Sequence, residues 1–441
     1  MRPAPWYRAV AVFTLLALAA GCASTDLPPI SSAGARFQPL ADERELWKQA
    51  EAEERQLLSQ AHLYPDPLLE SYLETVVARL NPPRMAANPA IQYRIHVIED
   101  PTLNAFGYPH GSIYVHTGLL ARVENEDQLA TVLGHEMTHV ERRHMLRYER
   151  SARNKGIGLA VAAVALDVVA TVAEGVAADK GHPGTAFAID LFSGVVLSLG
   201  LELAFVAAID GYGRGLEDEA DQGSFAKVAA AGYRLDEAPK VYETLLEDHG
   251  DSRKAEAFFF GSHPRLTERI ASSKQYVAAH PATAALDATP ADPADPAGDD
   301  TFARRIHPVV RDDARLNLEI GRLKVAESEL ARVRAWMPRD PEARYLEGSL
   351  KLAQADEEKD GKARERLRGQ AATVFQQAIE LDPERPSPYR ELGLLFYERG
   401  NFRGACRELR RYAELAPATE ARGSERAHGI LQEMERDGRC E

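Results

Sequence analysis

The chain has 441 residues, of which 45% are hydrophobic and 27% charged, and a formal net charge of −14. That length exceeds what one small core organises, so two or three domains are expected. From Thr301 onward 27 basic residues face 26 acidic ones, against 26 and 41 before it; with no basic stripe, no nucleic-acid partner is expected.

Arg2 and Arg8 flank the start of an apolar run, Ala9 to Ala20, which small residues follow up to Cys22. Residues 1–21 read as a secretory signal. The Ala-Ala-Gly-Cys ending resembles a bacterial lipobox, with Ala19 where Leu is usual. The resemblance implies lipidation of Cys22 and, since Ala23 follows rather than Asp, a place on the periplasmic side of the outer membrane. Residues 22–40 then read as a lipidated tether. With Cys22 acylated, the two remaining cysteines, Cys406 and Cys440, are expected to pair in an oxidising compartment.

Helices are expected over Asp42–Gln60 and over "PLLESYLETVVARL" (67–80), where apolar residues recur at helical spacing. "IQYRIHVIED" alternates and reads as a strand ended by Pro101; "GSIYVHTGLL" begins as another, with Ile113 and Val115 on one face. A long helix is expected from about Glu126 to Arg150. Residues 156–210 hold two apolar runs long enough to span a bilayer. Asp167, Glu174, Asp190 and Glu202 lie within them, and central acids cost roughly 2.5–3.5 kcal/mol each on insertion. A packed or surface-touching helical hairpin is therefore expected over a spanning pair.

Residues 281–304 are rich in Pro, Ala and Asp and read as a linker. Beyond it "GRLKVAESELARVRAWMP" and "GNFRGACRELRRYAELAP" both place Ala five, Leu nine and Pro seventeen residues after Gly. Pro383 and Pro417 lie one 34-residue repeat period apart, whereas Pro338 and Pro383 are separated by eleven residues more. Residues 305–441 thus resemble tetratricopeptide repeats, a solenoid for protein partners; the alternative is a plain helical bundle.

The chemistry centres on "LATVLGHEMTHVERRH" (129–144). Positions i and i+4 of a helix share a face, so His135 and His139 can address one ion, with Glu136 beside its water. Zinc suits imidazole ligands and an open fourth position. For a third ligand, "GYGRGLEDEADQGSF" offers Glu217, with Asp221 four residues on as a hydrogen-bond acceptor for the outer nitrogen of a ligand histidine. Glu219 points elsewhere on that helix by about 200°.

His-Glu-x-x-His followed by Glu-x-x-Ala-Asp, with "NAFGYPHGSIYVHTGLL" before and "GSHPRLTERI" after, resembles the HtpX/BepA-type zinc metalloproteases of the gluzincin group, over roughly residues 60–280. The repeats behind it resemble the BepA-like periplasmic subgroup. The resemblance implies a mainly α metalloprotease domain with a small β-sheet over residues 41–280, followed by an all-α tetratricopeptide solenoid. It implies one Zn2+ per chain held by His135, His139 and Glu217, with Glu136 as general base. Peptide substrates would add to the strand carrying Ile113, Tyr114 and Val115. His110 stands where the family has a Gly and His116 where Asn is common, so substrate preference does not carry over. His263 in "GSHPR" is a candidate oxyanion donor or resting-state zinc ligand, against a plain turn residue before Pro264. The activity implied is endopeptidase cleavage of misfolded or stalled envelope proteins; the alternative is an assembly factor or chaperone whose repeats dominate, with latent proteolysis.

Overall fold

The computed structural model describes residues 23–154, 201–207, 212–249, 266–281, 301–416 and 424–440. Two helices, α1 (Ala41–Gln60) and α2 (Pro67–Leu80), lead in. Asp66 caps α2, accepting from the amides of Leu68 (2.9 Å) and Leu69 (3.0 Å), while Pro67 fills the first helical position, where its missing N–H costs nothing. A three-stranded sheet follows, β1 (Arg94–Ile98), β2 (Ala105–Gly107) and β3 (Ser112–His116), in the order β1-β3-β2. β1 runs parallel to β3 with Ile95 opposite Ile113; β2 runs antiparallel to it with Phe106 opposite Tyr114. β3 is therefore the central strand, and all five of its residues are buried.

That order corrects one expectation. Ile113, Tyr114 and Val115 have neighbours on both sides and cannot accept a further strand. The edges are β1, whose outer side is met by residues 62–64, and β2, which sequence reading missed because three residues are too few to show alternation. Asn104 O accepts from His116 N (3.0 Å) and Tyr108 N donates to Ser112 O (2.8 Å). Phe106 and its flanking residues Asn104 and Tyr108 thus pair with β3, and the N–H and C=O of Ala105 and Gly107 face the other way. Among the described residues no backbone group meets them.

After α3 (Thr117–Arg122) comes α4 (Glu126–Glu141), capped by Asn125 through the Gln128 amide (2.9 Å). The expected continuous helix to residue 150 is broken: Arg143 adopts φ 58°, and α5 (His144–Asn154) sets off in a new direction. Arg143 is held there by Glu43 (2.8 and 2.5 Å) and by the ring of Phe37. Among the described residues, the longer helices that follow in the first half are α6 (Arg214–Ala230), α7 (Ala238–His249) and α8 (Leu266–Ala279). α6 lies unusually close to α4. A Cβ on Gly134 would meet Ser224 Oγ at 2.9 Å, and one on Gly223 would meet Thr138 Cγ2 at 2.3 Å.

The reading of residues 22–40 as a tether is also corrected for the described part. Ala23 and Asn154 exchange two hydrogen bonds (3.1 and 2.8 Å), Arg150 donates to Ser24 O (2.7 Å), and Ile30 is buried beside Met85, Ile91 and Val140. Polar Ser-Pro-Ala composition hid the few anchors that dock this segment. The signal region and Cys22 lie outside the described residues. So does most of the 156–210 hairpin; of it, Leu203 and Ala204 donate their amides to the buried Glu53 (2.9 and 3.2 Å). No helix among the described residues is long and apolar enough to cross a membrane.

Among the described residues the second half holds seven helices: α9 (Thr301–Glu319), α10 (Leu323–Trp336), α11 (Pro341–Glu357), α12 (Gly361–Leu381), α13 (Pro386–Glu398), α14 (Phe402–Leu415) and α15 (Ser424–Arg436). α9 already begins within the expected linker, whose residues 282–300 are outside the described set. The eleven extra residues of the middle unit lengthen its helices rather than forming a loop: α11 is four residues longer than α13, and α12 seven longer than α14. Glycines let paired helices touch, Gly348 against Phe375 and Gly393 against Leu409. A disulfide joins Cys406 of α14 to Cys440, with Cα atoms 5.5 Å apart.

Candidate metal centre

The close contact of α4 and α6 brings together side chains some eighty positions apart. His135, His139 and Glu217 are all buried, and one ligand atom from each lies within 4.8 Å of the others. His135 Nε2 is 2.9 Å from His139 Nε2 and 3.3 Å from Glu217 Oε2; His139 Nε2 is 3.6 Å from Glu217 Oε1. Two imidazole nitrogens and a carboxylate therefore converge on one point.

The outer nitrogen of His135 explains what that point favours. Its Nδ1 lies 2.8 Å from Asp221 Oδ1, so Nδ1 carries a hydrogen and Nε2 is the nitrogen that can give up its proton and turn a lone pair inward. Burial and the Arg269 charge oppose a proton on His135, yet Asp221 and Glu217 outweigh them and push it up to about 9. A field that binds a proton so firmly also favours a dication in its place, and two imidazoles with one carboxylate are a zinc donor set. The residues present fit the metal.

Arg269 of α8 is the most consequential residue that sequence reading missed. It clamps Asp221 through two bonds (2.9 and 2.6 Å), stands 4.4 Å over the Tyr242 ring, and lies 3.2 Å from His135 Nδ1. Burial would push the Asp221 carboxyl up, but Arg269 and His135 hold it well below the usual range. The residue sits within the quoted "GSHPRLTERI", yet nothing in that string singles it out from other surface-type arginines.

Two further aromatic neighbours were equally silent. Tyr212 stacks on His139, ring centroids 4.5 Å apart. His144, at the end of the 129–144 segment, is fully buried, its Nδ1 2.9 Å from His139 Nδ1. Burial keeps His144 below its ordinary value despite Glu219 nearby. Glu219 does point away from the ion site: it binds Arg147 (2.6 Å) and faces His144 Nε2 (3.6 Å), partners that hold its carboxyl down to about 2.

Glu136 is buried on the cleft side of α4, with Asn104 and Ala105 of the β2 edge, His135, Tyr242 and Arg269 around the same pocket. His110 and His116, the two departures from the family pattern, are not at an open edge. His110 Nε2 faces the Glu54 carboxylate (3.3 Å), and His116 Nδ1 meets Thr102 (2.6 Å) and Asp100 (3.4 Å). His263 lies outside the described residues.

Comparison with known proteins agrees with this geometry. Residues 67–277 match the model of Peptidase family M48, and residues 360–432 that of a Tetratricopeptide repeat. The chain carries a family M48 peptidase domain. Over 232 residues it is 25% identical to a Vibrio cholerae protein named as a beta-barrel assembly-enhancing protease, covering 52% of this chain and 43% of that one. It is 28% identical to the mitochondrial metalloendopeptidase OMA1 of Schizosaccharomyces pombe, over 48% of this chain and 56% of the relative. A shorter match, 36% identical, covers 21% of this chain and 19% of the Escherichia coli beta-barrel assembly-enhancing protease. The chain thus spans about half the length of the first two relatives. Within the M48 domain, the helix pairing described above is what brings the His-Glu-x-x-His segment and Glu217 to one place.

Proposed function

We propose that this protein is a zinc-dependent metalloendopeptidase of the bacterial envelope, with His135, His139 and Glu217 holding one Zn2+. The observation that carries the reading is the convergence of two buried imidazoles and a carboxylate beside a buried glutamate and an unpaired strand edge. Bound there, zinc supplies Lewis acidity and lowers the pKa of a water to about 7. Glu136 takes the proton from the attacking water and passes it to the leaving amine nitrogen. The outward-facing N–H and C=O groups of Ala105 and Gly107 pair with an extended peptide, which makes recognition depend on backbone more than on side chains. Asp221, clamped by Arg269, keeps His135 in the tautomer that faces the metal.

Substrates of this kind are unfolded or stalled segments of envelope proteins, in keeping with the names of the bacterial relatives. The repeats serve as the docking platform for protein partners. Export through residues 1–21 and acylation at Cys22 place the enzyme on the periplasmic side of the outer membrane, with Ala23 fixed against Asn154 close to the lipid.

The test is Glu136→Gln. The variant is expected to bind one zinc per chain as the wild type does and to lose about 10²–10⁴-fold in peptidase rate on an unfolded envelope protein. Wild-type protein without stoichiometric zinc would overturn the reading. Full restoration of envelope integrity by Glu136→Gln would instead favour an assembly factor whose repeats do the work.

A further inference from the structure

The two histidines of the metal centre are held from behind in different ways. His135 leans on a carboxylate, Asp221 (2.8 Å). His139 leans on another imidazole: its Nδ1 lies 2.9 Å from His144 Nδ1, the two rings nearly perpendicular at 4.8 Å between centroids. Nitrogens at that distance share one hydrogen; two N–H groups would collide and two lone pairs would repel. Which ring donates decides whether His139 presents a lone pair or a hydrogen to the metal point.

The metal point settles the direction. His144 Nε2 faces Glu219 Oε2 at 3.6 Å, and Glu219 is fixed by Arg147 (2.6 Å) and Arg142 (3.4 Å). Three donor atoms converge on the metal point, so His139 Nε2 must be bare to serve it; the hydrogen shared with His144 then sits on His139 Nδ1, and His144 Nδ1 accepts it. His139 then donates from Nδ1 and keeps a lone pair on Nε2; the hydrogen between that nitrogen and His135 Nε2, 2.9 Å away, belongs to His135 and is what a metal displaces. The backbone is shaped for this contact. A continuous helix would place residue 143, four after His139, over its face. The turn at Arg143, φ 58° and locked onto Glu43, brings residue 144 there instead.

We propose that His144 is a positioning residue of the metal centre, one that fixes the Nδ1–H tautomer of His139. The proposal rests on the zinc reading above, and its test separates the two. Zinc affinity of the full chain is measured by competition with a chromophoric chelator for the wild type, His144→Ala and His144→Asn. Ala removes the acceptor; the Asn side-chain oxygen lies about where Nδ1 was. His144→Ala is expected to bind zinc about 10- to 100-fold more weakly, and His144→Asn to recover most of that loss, which packing alone would not do. Equal affinity in the wild type and His144→Ala, or no recovery with Asn, overturns the proposal and leaves the metallopeptidase reading intact. A wild type that binds no zinc overturns both.

Since His144 is fully buried, a second measurement needs no substitution. In the zinc-loaded wild type labelled with nitrogen-15 histidine, a nitrogen–nitrogen coupling across the bond is expected, with the hydrogen on His139 Nδ1. Its absence, or a hydrogen on His144 Nδ1, sinks the assignment.

Discussion

Asp221 is a charge kept almost wholly out of water, and its neighbours make that tolerable: a bidentate guanidinium, the Tyr242 hydroxyl at 2.9 Å and the His135 ring. Removing Arg269 strands the carboxylate, a change expected to cost about 3–5 kcal/mol. The pH dependence follows with a definite sign. In the wild type the Asp221 carboxyl is depressed in the folded state, so its stabilising contribution is present above the unfolded value near 3.9 and is lost only as pH falls well below it. In Arg269→Ala the carboxyl rises, and the acid limb of the unfolding curve moves to higher pH. Melting temperatures between pH 3 and 7 check this; an unmoved acid limb would deny Arg269 the role. Arg269→Lys should restore little, because a single ammonium cannot form the two-pronged contact. At this scale the ligand set was legible because metal geometry imposes i, i+4 spacing on the chain. Arg269, Tyr212 and His144 were not, because burial turned ordinary surface-type residues into partners, and burial is a tertiary property.

The pairing of α4 with α6 is what converts spacing into a site. Gly134 sits on Ser224, whose hydroxyl donates to Thr131 O (2.6 Å), and Gly223 sits on Thr138. Gly223→Ala would place a methyl 2.3 Å from Thr138 Cγ2, so the helices must part. A cost of about 1–3 kcal/mol is expected, together with weaker zinc binding, because Glu217 rides on the displaced helix. Pairing it with Thr138→Ser, which deletes the colliding methyl and keeps the hydroxyl, should recover part of both losses; additive effects in the double variant would place the fault elsewhere. Element types were largely readable from hydrophobic period, including the helices of both halves and two strands. What escaped was the three-residue β2, the break at Arg143 and the docking of residues 23–40. Each is fixed by long-range partners such as Glu43 and Asn154 and not by its own pattern.

Across the whole molecule, the Pro-Ala-Asp stretch suggests two independent bodies, yet the first repeat is built into the peptidase body. Ile306, Val309, Val310 and Ala314 of α9 share one core with Leu73 and Val76 of α2 and Leu120 of α3. Polar contacts fasten the same seam: Tyr64 to Asp312 (2.8 Å), Arg122 to Glu329 (2.6 Å), Thr117 to Asp313 (2.7 Å), and Arg332 to the carbonyls of Ala121 and Val123. At its centre Asp313 and Glu329 lie buried together, with Asn317 bridging them (2.8 and 3.1 Å) and Asp100, Arg122 and Arg322 in the field around them. Burial first, and then the Asp313 charge, raise Glu329 against the pull of Arg122, so the pair holds a proton to higher pH than an ordinary carboxyl would. A carboxyl raised in the folded state stabilises at low pH, and that contribution is lost as pH climbs through its folded value. Wild-type protein should therefore lose about 1–3 kcal/mol at this seam on the alkaline side, seen as a falling melting temperature of the peptidase body and first repeat together. Glu329→Gln keeps a hydrogen for Asp313 and an oxygen for Arg122 without a proton to lose, so its melting curve should stay flat over the same alkaline range. Identical alkaline slopes in the two proteins would show that the shared proton does not hold the repeats to the peptidase.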